Sequence, residues 1–430
     1  MKTILQKILA ILARRTLKKH KPMIIGITGS VGKTTTREAI LAVLKKNYRV
    51  AGPEKNYNNE IGLPLTILQA PNCGKNIFKW LRVLRRGWTG QFAAGQNYPE
   101  ILVLEYGVDR QGDMDYLLKI AKPYIAVATA IGDVPMHMEY FEDPEELIKE
   151  KSKLVAALPV EGHAILNHDD YAVYDMREKT KSHVATFGMA ERADFRVINY
   201  ELRNGKDEEL GDTPDGISFK IEYKGSVVPV RIATALGEPH AIAAAAAMAI
   251  GTILNMNLVE IAEALHDWTP PAGRMRLISG LKKSFILDDT YNAGPDSMRR
   301  ALDTLQTLPG KRKIAVLGDM LELGKYTEAA HRATGDQVAK FADLILTVGV
   351  RSKFIAEQAL IWDTLPGQIM KFDDSESAGK ALQPLIKEGD VILVKGSQGM
   401  RMERVVEEIM AHPEEAENLL VRQGEEWKGQ

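Results

Sequence analysis

The stretch Met23-Ile24-Ile25-Gly26-Ile27-Thr28-Gly29-Ser30-Val31-Gly32-Lys33-Thr34-Thr35 decides the fold. An apolar run of strand length stops at a glycine-bounded turn, and helical spacing begins beyond it, from about Thr34 to Lys46. Strand, glycine-rich turn and helix follow in the order a phosphate site requires. Glycines let backbone N–H groups close on phosphate oxygens, and the helix N-terminus adds partial positive charge. Lys33 can neutralise the β and γ phosphates of a nucleotide, and Thr34 can offer its hydroxyl to Mg2+. The strict spacing of such loops fails by one residue, because Ile27 stands where the first glycine belongs and Gly26 precedes it. Gly29, Ser30, Val31, Gly32, Lys33, Thr34 and Thr35 therefore read as a variant ATP loop. The bland alternative, a glycine turn with no ligand, is disfavoured by the strand and helix on either side.

Working outward, residues 101–107 (ILVLEYG) and 124–131 (YIAVATAI) are further strand-like runs. Their alternation with helical sequence implies an α/β fold, a mostly parallel sheet with helices on both faces. From Phe195 to Thr234 the pattern changes to alternating strands with turn signals at Asn204-Gly205, Asp215-Gly216 and Lys224-Gly225, which predicts a small antiparallel annex. A helix from about His240 to Leu254 leads to Trp268-Thr269-Pro270-Pro271-Ala272-Gly273, the best linker in the chain. Beyond it FILDDT, KIAVLGD, DLILTVG and DVILVKG open a second α/β series. The expected division is a basic helix over 1–22, a central domain over 23–272 and a C-terminal domain over 273–430.

Composition bounds the function. Lysine and arginine number 56 against 57 acids, so the overall field gives no reason to expect nucleic acid as a partner. Cys73 stands alone, which excludes an intrachain disulfide and a cysteine-cluster zinc site and fits a reducing cytoplasm. No apolar run is long enough to span a bilayer. The balance conceals an asymmetry: residues 1–37 contain nine Lys or Arg and no acid, with Ile4, Leu5, Ile8, Leu9 and Leu12 at helical spacing. A second basic patch runs from Lys75 to Arg86, and no acid occurs between Glu60 and Glu100. Each patch reads as a helix packed on its own protein or as one that touches an anionic surface.

A nucleotide site needs carboxylate for its metal, and Glu105 ends a predicted parallel strand, the edge where ligands bind in open α/β sheets. His137 and Lys151, by contrast, carry no signal of their own, since a lone histidine and a lysine in a charged helix default to structure or solvent.

Six strings together resemble the Mur ligases: Gly29 to Thr35; Asn56-Tyr57-Asn58-Asn59-Glu60-Ile61-Gly62-Leu63-Pro64; Glu105-Tyr106-Gly107; Asp288-Asp289-Thr290-Tyr291-Asn292-Ala293-Gly294-Pro295-Asp296-Ser297-Met298; Gly318-Asp319-Met320-Leu321-Glu322-Leu323-Gly324; and Lys395-Gly396-Ser397-Gln398-Gly399-Met400-Arg401-Met402-Glu403. They are most similar to the branch that adds D-alanyl-D-alanine to UDP-N-acetylmuramoyl-tripeptide, MurF. The resemblance implies a P-loop central domain followed by a Rossmann-like one, and ATP-dependent amide synthesis through an acyl phosphate in peptidoglycan precursor synthesis. It assigns Lys33, Lys151 and His137 to catalysis, and Thr34, Glu105, His137 and Lys151 to a pair of Mg2+ ions, with Lys151 carbamylated. Besides the loop, Asn59, Arg274, Asp289 and Asn292 fall to ATP, and Lys395, Ser397 and Arg401 to the peptide or the incoming dipeptide. For Asp319, Glu322 and His331 structure and substrate contact stay equally open.

The chain departs from the family pattern in several places. The turn Ile131 to His137 is two residues longer than usual, Ser152 and Lys153 replace a glycine and a glutamate, and Pro239-His240-Ala241 lacks the asparagine that follows this histidine in the family. Only some 22 residues precede the first strand, where the family has a separate uridine-nucleotide domain. The far end of the substrate is then expected to be held by a partner chain, by the basic segments, or through a lipid-linked carrier with the N-terminal helix resting on the inner face of the membrane. Competing readings are a ligase with another carrier or amine, of the MurT or folylpolyglutamate type, and an ATP-binding regulatory module without catalysis.

Overall fold

The computed structural model describes the chain except residues 1, 54–56, 72, 75, 90–96, 133–137, 208–210, 363–365, 425–426 and 428–430. Its first sheet contains β1 (Met23–Thr28), β2 (Val50–Ala51), β3 (Ile101–Glu105), β4 (Ile125–Ala128), β5 (His163–Asn167), β6 (His183–Gly188), β7 (Phe195–Asp207), β8 (Gly211–Tyr223) and β9 (Ser226–Ile232). They lie in the order β2-β3-β1-β4-β5-β6-β7-β8-β9. The first six strands in that order pair in parallel, β6 and β7 also run parallel, and β7 to β9 are antiparallel. The expected annex is thus the continuation of the main sheet. Two of its predicted turns, at Asn204-Gly205 and Asp215-Gly216, fall inside long strands, where Asn204 pairs Pro214 and Gly205 pairs Thr213. Lys224-Gly225, with positive φ at both residues, is a true hairpin turn.

Burial explains the strand sequences. All five residues of β3 and all four of β4 are buried, as continuous apolar runs covered on both faces should be. One face is covered by α2 (Lys33–Leu44 in the chain) together with the alanine-rich helix Glu238–Ile253, whose small side chains let it lie close to the sheet. The other face is covered by α1 (Lys2–His20), α3 (Gly62–Leu68), α5 (Asp113–Ile120) and α6 (Pro144–Ala156). A helix α4 (Ile77–Thr89) packs outside α1. The apolar stripe of α1 faces inward, with Leu9, Leu12 and Ala13 at 0–1% exposure, so this helix is seated on its own protein.

The second sheet holds β10 (Arg276–Gly280), β11 (Ser284–Asp289), β12 (Arg312–Gly318), β13 (Leu344–Val348), β14 (Ile369–Phe372) and β15 (Asp390–Lys395). Their order is β10-β11-β15-β12-β13-β14, parallel except for β10 at one edge, with apolar clusters on both faces. The linker is pinned between the sheets. Gly273 donates to Asp288 Oδ2 at 2.9 Å, accepts from Tyr291 N at 3.1 Å and has φ 67°, with the place a Cβ would take 2.9 Å from Tyr291 N. Ala235, three residues past β9, forms an isolated antiparallel bridge with Arg276 of β10. Among the described residues no helix is long and apolar enough to cross a membrane.

Candidate active site

The loop after β1 is built by its glycines. Gly29 has φ 141°, and a Cβ there would stand 2.1 Å from Thr129 Oγ1 and 3.0 Å from the Ala130 carbonyl. Ser30 and Val31 donate their N–H groups to that same Ala130 carbonyl at 2.7 and 3.0 Å, which ties the loop to the end of β4. Gly32, at φ 87°, caps α2 in the left-handed region that glycine favours. The free first turn of α2 therefore faces outward at the carboxyl ends of β1 and β3.

The charged groups follow from that frame. Lys33 Nζ folds back to donate to the Gly29 carbonyl at 2.6 Å. Lys151, on α6 and only 1% exposed, donates to the same carbonyl at 3.2 Å. Burial pushes the Lys151 ammonium well below the usual lysine range, and the neighbouring Lys33 charge pushes the same way. Lys33 is also lowered by burial, with Glu105 opposing and Arg274 reinforcing. Glu105 is buried at the end of β3; its Oε1 accepts from Arg37 Nη1 at 2.7 Å, while Oε2 is buried and unpartnered.

Across from the loop the second sheet contributes Arg274, Tyr291, Asn292, Ser397 and Arg401. With Ser30, Gly32, Lys33, Thr34, Asn59 and Glu105 they line one cleft of about 670 Å³. The Arg274 guanidinium lies over the Tyr291 ring at 3.9 Å, and its Nε is buried without a partner. Asn59 Oδ1 accepts from Ile61 N and Gly62 N, so this residue both lines the cleft and caps α3. Asn292 Oδ1 accepts from Gln398 N at 3.3 Å and joins the two turns of the second sheet. A larger groove of about 1060 Å³ runs along β7 to β9 beside His266 and Asp267, but it shares no lining residue with the phosphate-type loop.

Some predicted residues sit elsewhere. Lys395 is 1% exposed and donates to Asp289 Oδ2 at 2.6 Å and to the Asn292 carbonyl at 2.9 Å, beneath the cleft. Asp289, Lys395, Arg274 and His240 instead border a small cavity of about 50 Å³ behind Val31, Gly32 and Thr35. Asp319 accepts from Arg351 N and Ser352 N, and His331 bridges Met320 N and the Thr327 carbonyl, so both hold turns; Glu322 lines the cleft. Lys153 is paired with Asp115 and Glu150, each at 2.6 Å, which neutralise its charge. His137 lies outside the described residues.

Three residues that sequence reasoning missed complete the site. Arg37 occupies the same α2 face as Lys33, four residues on, a signal available in the sequence. Thr129 Oγ1 donates within hydrogen-bond distance of the Val31 and Thr28 carbonyls, at 2.7 and 3.1 Å. Trp427 lines the cleft from the far C-terminus, and nothing local announces it.

The residues fit Mg2+. An ion of this kind is held by one or two protein oxygens plus phosphate and water, and the unpartnered Glu105 Oε2 and the Thr34 hydroxyl are hard donors lining the same cleft. Among the described residues no cluster of three or more His, Cys, Asp or Glu is arranged for a metal.

Comparison with known proteins bears on the family and the fold. The profile of the Mur ligase middle domain matches residues 27–251, and that of the Mur ligase glutamate ligase domain matches 273–398. The UDP-N-acetylmuramoyl-tripeptide--D-alanyl-D-alanine ligase of Bacillus subtilis is 30% identical over 404 residues, covering 94% of this chain and 79% of the relative. The enzyme of that name from Escherichia coli is 30% identical over 390 residues, covering 89% and 76%. Among solved structures, the MurF ligase of Thermotoga maritima in complex with ADP superposes with a TM-score of 0.75 at 27% identity, covering 94% of this chain and 83% of that one. MurF from Acinetobacter baumannii gives a TM-score of 0.75 at 26% identity over 93% and 79%.

Proposed function

Because the chain belongs to the Mur ligase family, we propose that it uses ATP to join D-alanyl-D-alanine to the terminal carboxylate of a muramyl tripeptide. The observation that carries this reading is the convergence of Lys33, Thr34 and Glu105 with Arg274, Asn292, Ser397 and Arg401 on one cleft between the two sheets. An activated phosphate and an acceptor amine need such a meeting place. In this reading residues 23–272 form the ATP-binding domain, 273–430 the Rossmann-like domain, and 1–22 a separate basic helix.

The backbone from Gly29 to Thr35 cradles the phosphates, and Lys33 turns from the Gly29 carbonyl to the β and γ oxygens. Arg274 adds charge from the opposite wall, while Asn59 and Asn292 hold the nucleoside side, and Asp289, paired with Lys395 behind the loop, supports that wall from beneath. A carboxylate oxygen of the peptide attacks the γ-phosphorus in line; the bond to the β–γ bridging oxygen breaks and ADP leaves. The dipeptide amine, oriented with Ser397 and Arg401, then attacks the acyl carbon. The tetrahedral adduct expels inorganic phosphate as the amine nitrogen loses its proton. Orientation and charge neutralisation supply most of the acceleration.

Mg2+ held by Thr34 and Glu105, with His137 and Lys151 assigned to a second ion, supplies Lewis-acid neutralisation of phosphate charge when bound. Burial and the Lys33 charge bias Lys151 toward its neutral amine, the form that adds carbon dioxide. A carbamate there is anionic and presents hard oxygens, whereas an ammonium repels a cation. The reading includes a cytoplasmic location, peripheral contact with the inner face of the membrane, and a partner chain or the basic face holding the far end of the substrate.

The test is phosphate release by the purified chain with ATP, UDP-linked muramyl tripeptide and D-alanyl-D-alanine, with the product weighed by mass spectrometry. Turnover that requires both acceptor and dipeptide is expected. ATP binding with no dipeptide-dependent turnover, across soluble and lipid-linked carriers, would reduce the protein to a nucleotide-binding module.

A further inference from the structure

We infer that the face formed by α4, buttressed by α1, docks on an anionic lipid bilayer. The inward side of α4 is ordinary core. Val83 is buried, Trp80 and Leu84 pack against a cluster with Leu9, Leu12, Leu65 and Leu68, and Gly87 lets α1 approach so closely that a Cβ there would lie 2.9 Å from Leu12 Cδ1. The outward side is not an ordinary surface. Phe78 is 83% exposed, Leu81 58% and Trp88 65%, three large apolar side chains on one helix of 13 residues. At 3.6 residues per turn they share one arc, and Lys79, Arg82 and Arg86 take the next.

Helix α1 extends the same chemistry. Its outer lane leaves Ile4 64% and Ile11 52% exposed among Lys7, Arg14, Arg15 and Lys18. Arg15 stitches the helices together: its Nη1 donates to the Trp88 carbonyl at 3.5 Å and its guanidinium lies 5.9 Å from the Trp88 ring. Together α1 and α4 carry ten Lys or Arg and no acid. A nucleotide complements such charge but not the apolar arc, and an apolar protein face does not call for the cations. The surface of a bilayer containing anionic lipid complements both, and tryptophan beside arginine suits its interfacial zone.

The geometry also links this face to the cleft. Asn59 caps the cleft end of α3, and Leu65 and Leu68 further along α3 pack on Leu9 and Leu12 of α1. Seven residues of helix span about 10 Å, so one short helix connects the cleft to the docking face, on the side where a lipid-linked carrier presents its peptide. That last step rests on the ligase reading; the docking itself does not.

The full chain is sedimented with vesicles of phosphatidylcholine alone or mixed with phosphatidylglycerol. Partition to the mixed vesicles, weakened by salt, is expected. The variants Phe78→Ser/Leu81→Ser/Trp88→Ser and Arg82→Glu/Arg85→Glu should each lose on the order of tenfold in partition, with thermal unfolding unchanged in the arginine variant and lowered in the triple variant only by loss of the Arg15–Trp88 contact, since all five side chains are exposed. Equal binding to pure phosphatidylcholine, undiminished binding by the triple variant, or a parent that ignores both vesicles and instead forms a dimer the triple variant cannot form, overturns the proposal. Turnover on a water-soluble UDP-linked peptide is scored separately. A parent that ligates but ignores anionic vesicles sinks the docking face alone, and one that binds vesicles but does not ligate sinks the ligase reading alone.

Discussion

Lys33 and Lys151 direct their terminal nitrogens at one backbone oxygen, the carbonyl of Gly29, at 2.6 and 3.2 Å. The lysines come from different helices, and their shared acceptor lies in the tightest part of the loop. Lys33 has a second acceptor in the Ser30 carbonyl at 3.4 Å, whereas two ammonium groups side by side away from water disfavour each other. The more buried of them, Lys151, is the one held furthest toward its neutral amine, by burial first and by Lys33 second.

Lys151→Ala is therefore expected to lose ligation by at least about a hundredfold, with thermal unfolding unchanged or slightly raised, because a costly buried amine has been removed. Acetate or formate should restore part of the activity by standing in for a carbamate. Lys33→Ala should lose as much and gain nothing from added carboxylate, since its part is to neutralise phosphate charge. Steady-state rates with and without acetate separate the two. Equal rescue of both variants would refute the distinct roles assigned to them.

Arg37 and Glu105 form a buried pair at 2.7 Å, with side-chain exposures of 5% and 1%. Removing one partner of such a pair leaves an uncompensated charge, so Arg37→Met should destabilise the chain by about 3–5 kcal/mol. Adding Glu105→Gln should recover a large part of that loss in urea unfolding while leaving the enzyme without turnover. An additive double variant would show that the two side chains are not energetically coupled.

How far this site was legible in the sequence follows from how local each signal is. The loop and Glu105 could be read because a strand end, a glycine turn and a helix start are neighbours in the chain. The apolar runs of β11, β12, β13 and β15 were legible for a related reason, since strands buried on both faces announce themselves by composition. β5, β6 and β14 are short or interrupted by polar residues and carry no comparable run, and β10 has too mixed a sequence to signal an antiparallel edge. Asn204-Gly205 misled because the preference of that pair for turns is weaker than the cross-strand pairing of two 13-residue strands. The Asp289–Lys395 pair spans 106 positions and Trp427 reaches back from the end of the chain, so no window of sequence holds either relationship.

Gly29→Ala should abolish nucleotide binding. Its φ of 141° is strained for any other residue, and the new methyl would meet Thr129 Oγ1 at 2.1 Å and the Ala130 carbonyl at 3.0 Å. Adding Thr129→Ala removes the first clash but not the second, nor the strain, so the pair of changes should not rescue binding measured by calorimetry. Recovery to within a few-fold of the parent would mean that the loop is softer than its contacts imply.

His240 carries the last prediction. It is 1% exposed beside Trp268, with Nδ1 3.1 Å from the Leu236 carbonyl and Nε2 unpartnered. Burial lowers its pKa from 6.5 to about 4, although Asp289 opposes. Between those values the unfolded chain binds the proton and the folded chain does not, so stability falls as pH drops through that window. At about 1.4 kcal/mol per unit the loss is about 3 kcal/mol. Asp288 acts with the opposite sign: burial pushes it up from 3.8 to about 6, so the folded chain gains stability as pH falls through that interval. The difference between parent and His240→Gln isolates the histidine. The variant should be less stable at pH 7, from lost ring packing, and that deficit should shrink by about 3 kcal/mol by pH 4. Urea unfolding across that range measures it, and a deficit independent of pH would exclude the neutral buried histidine.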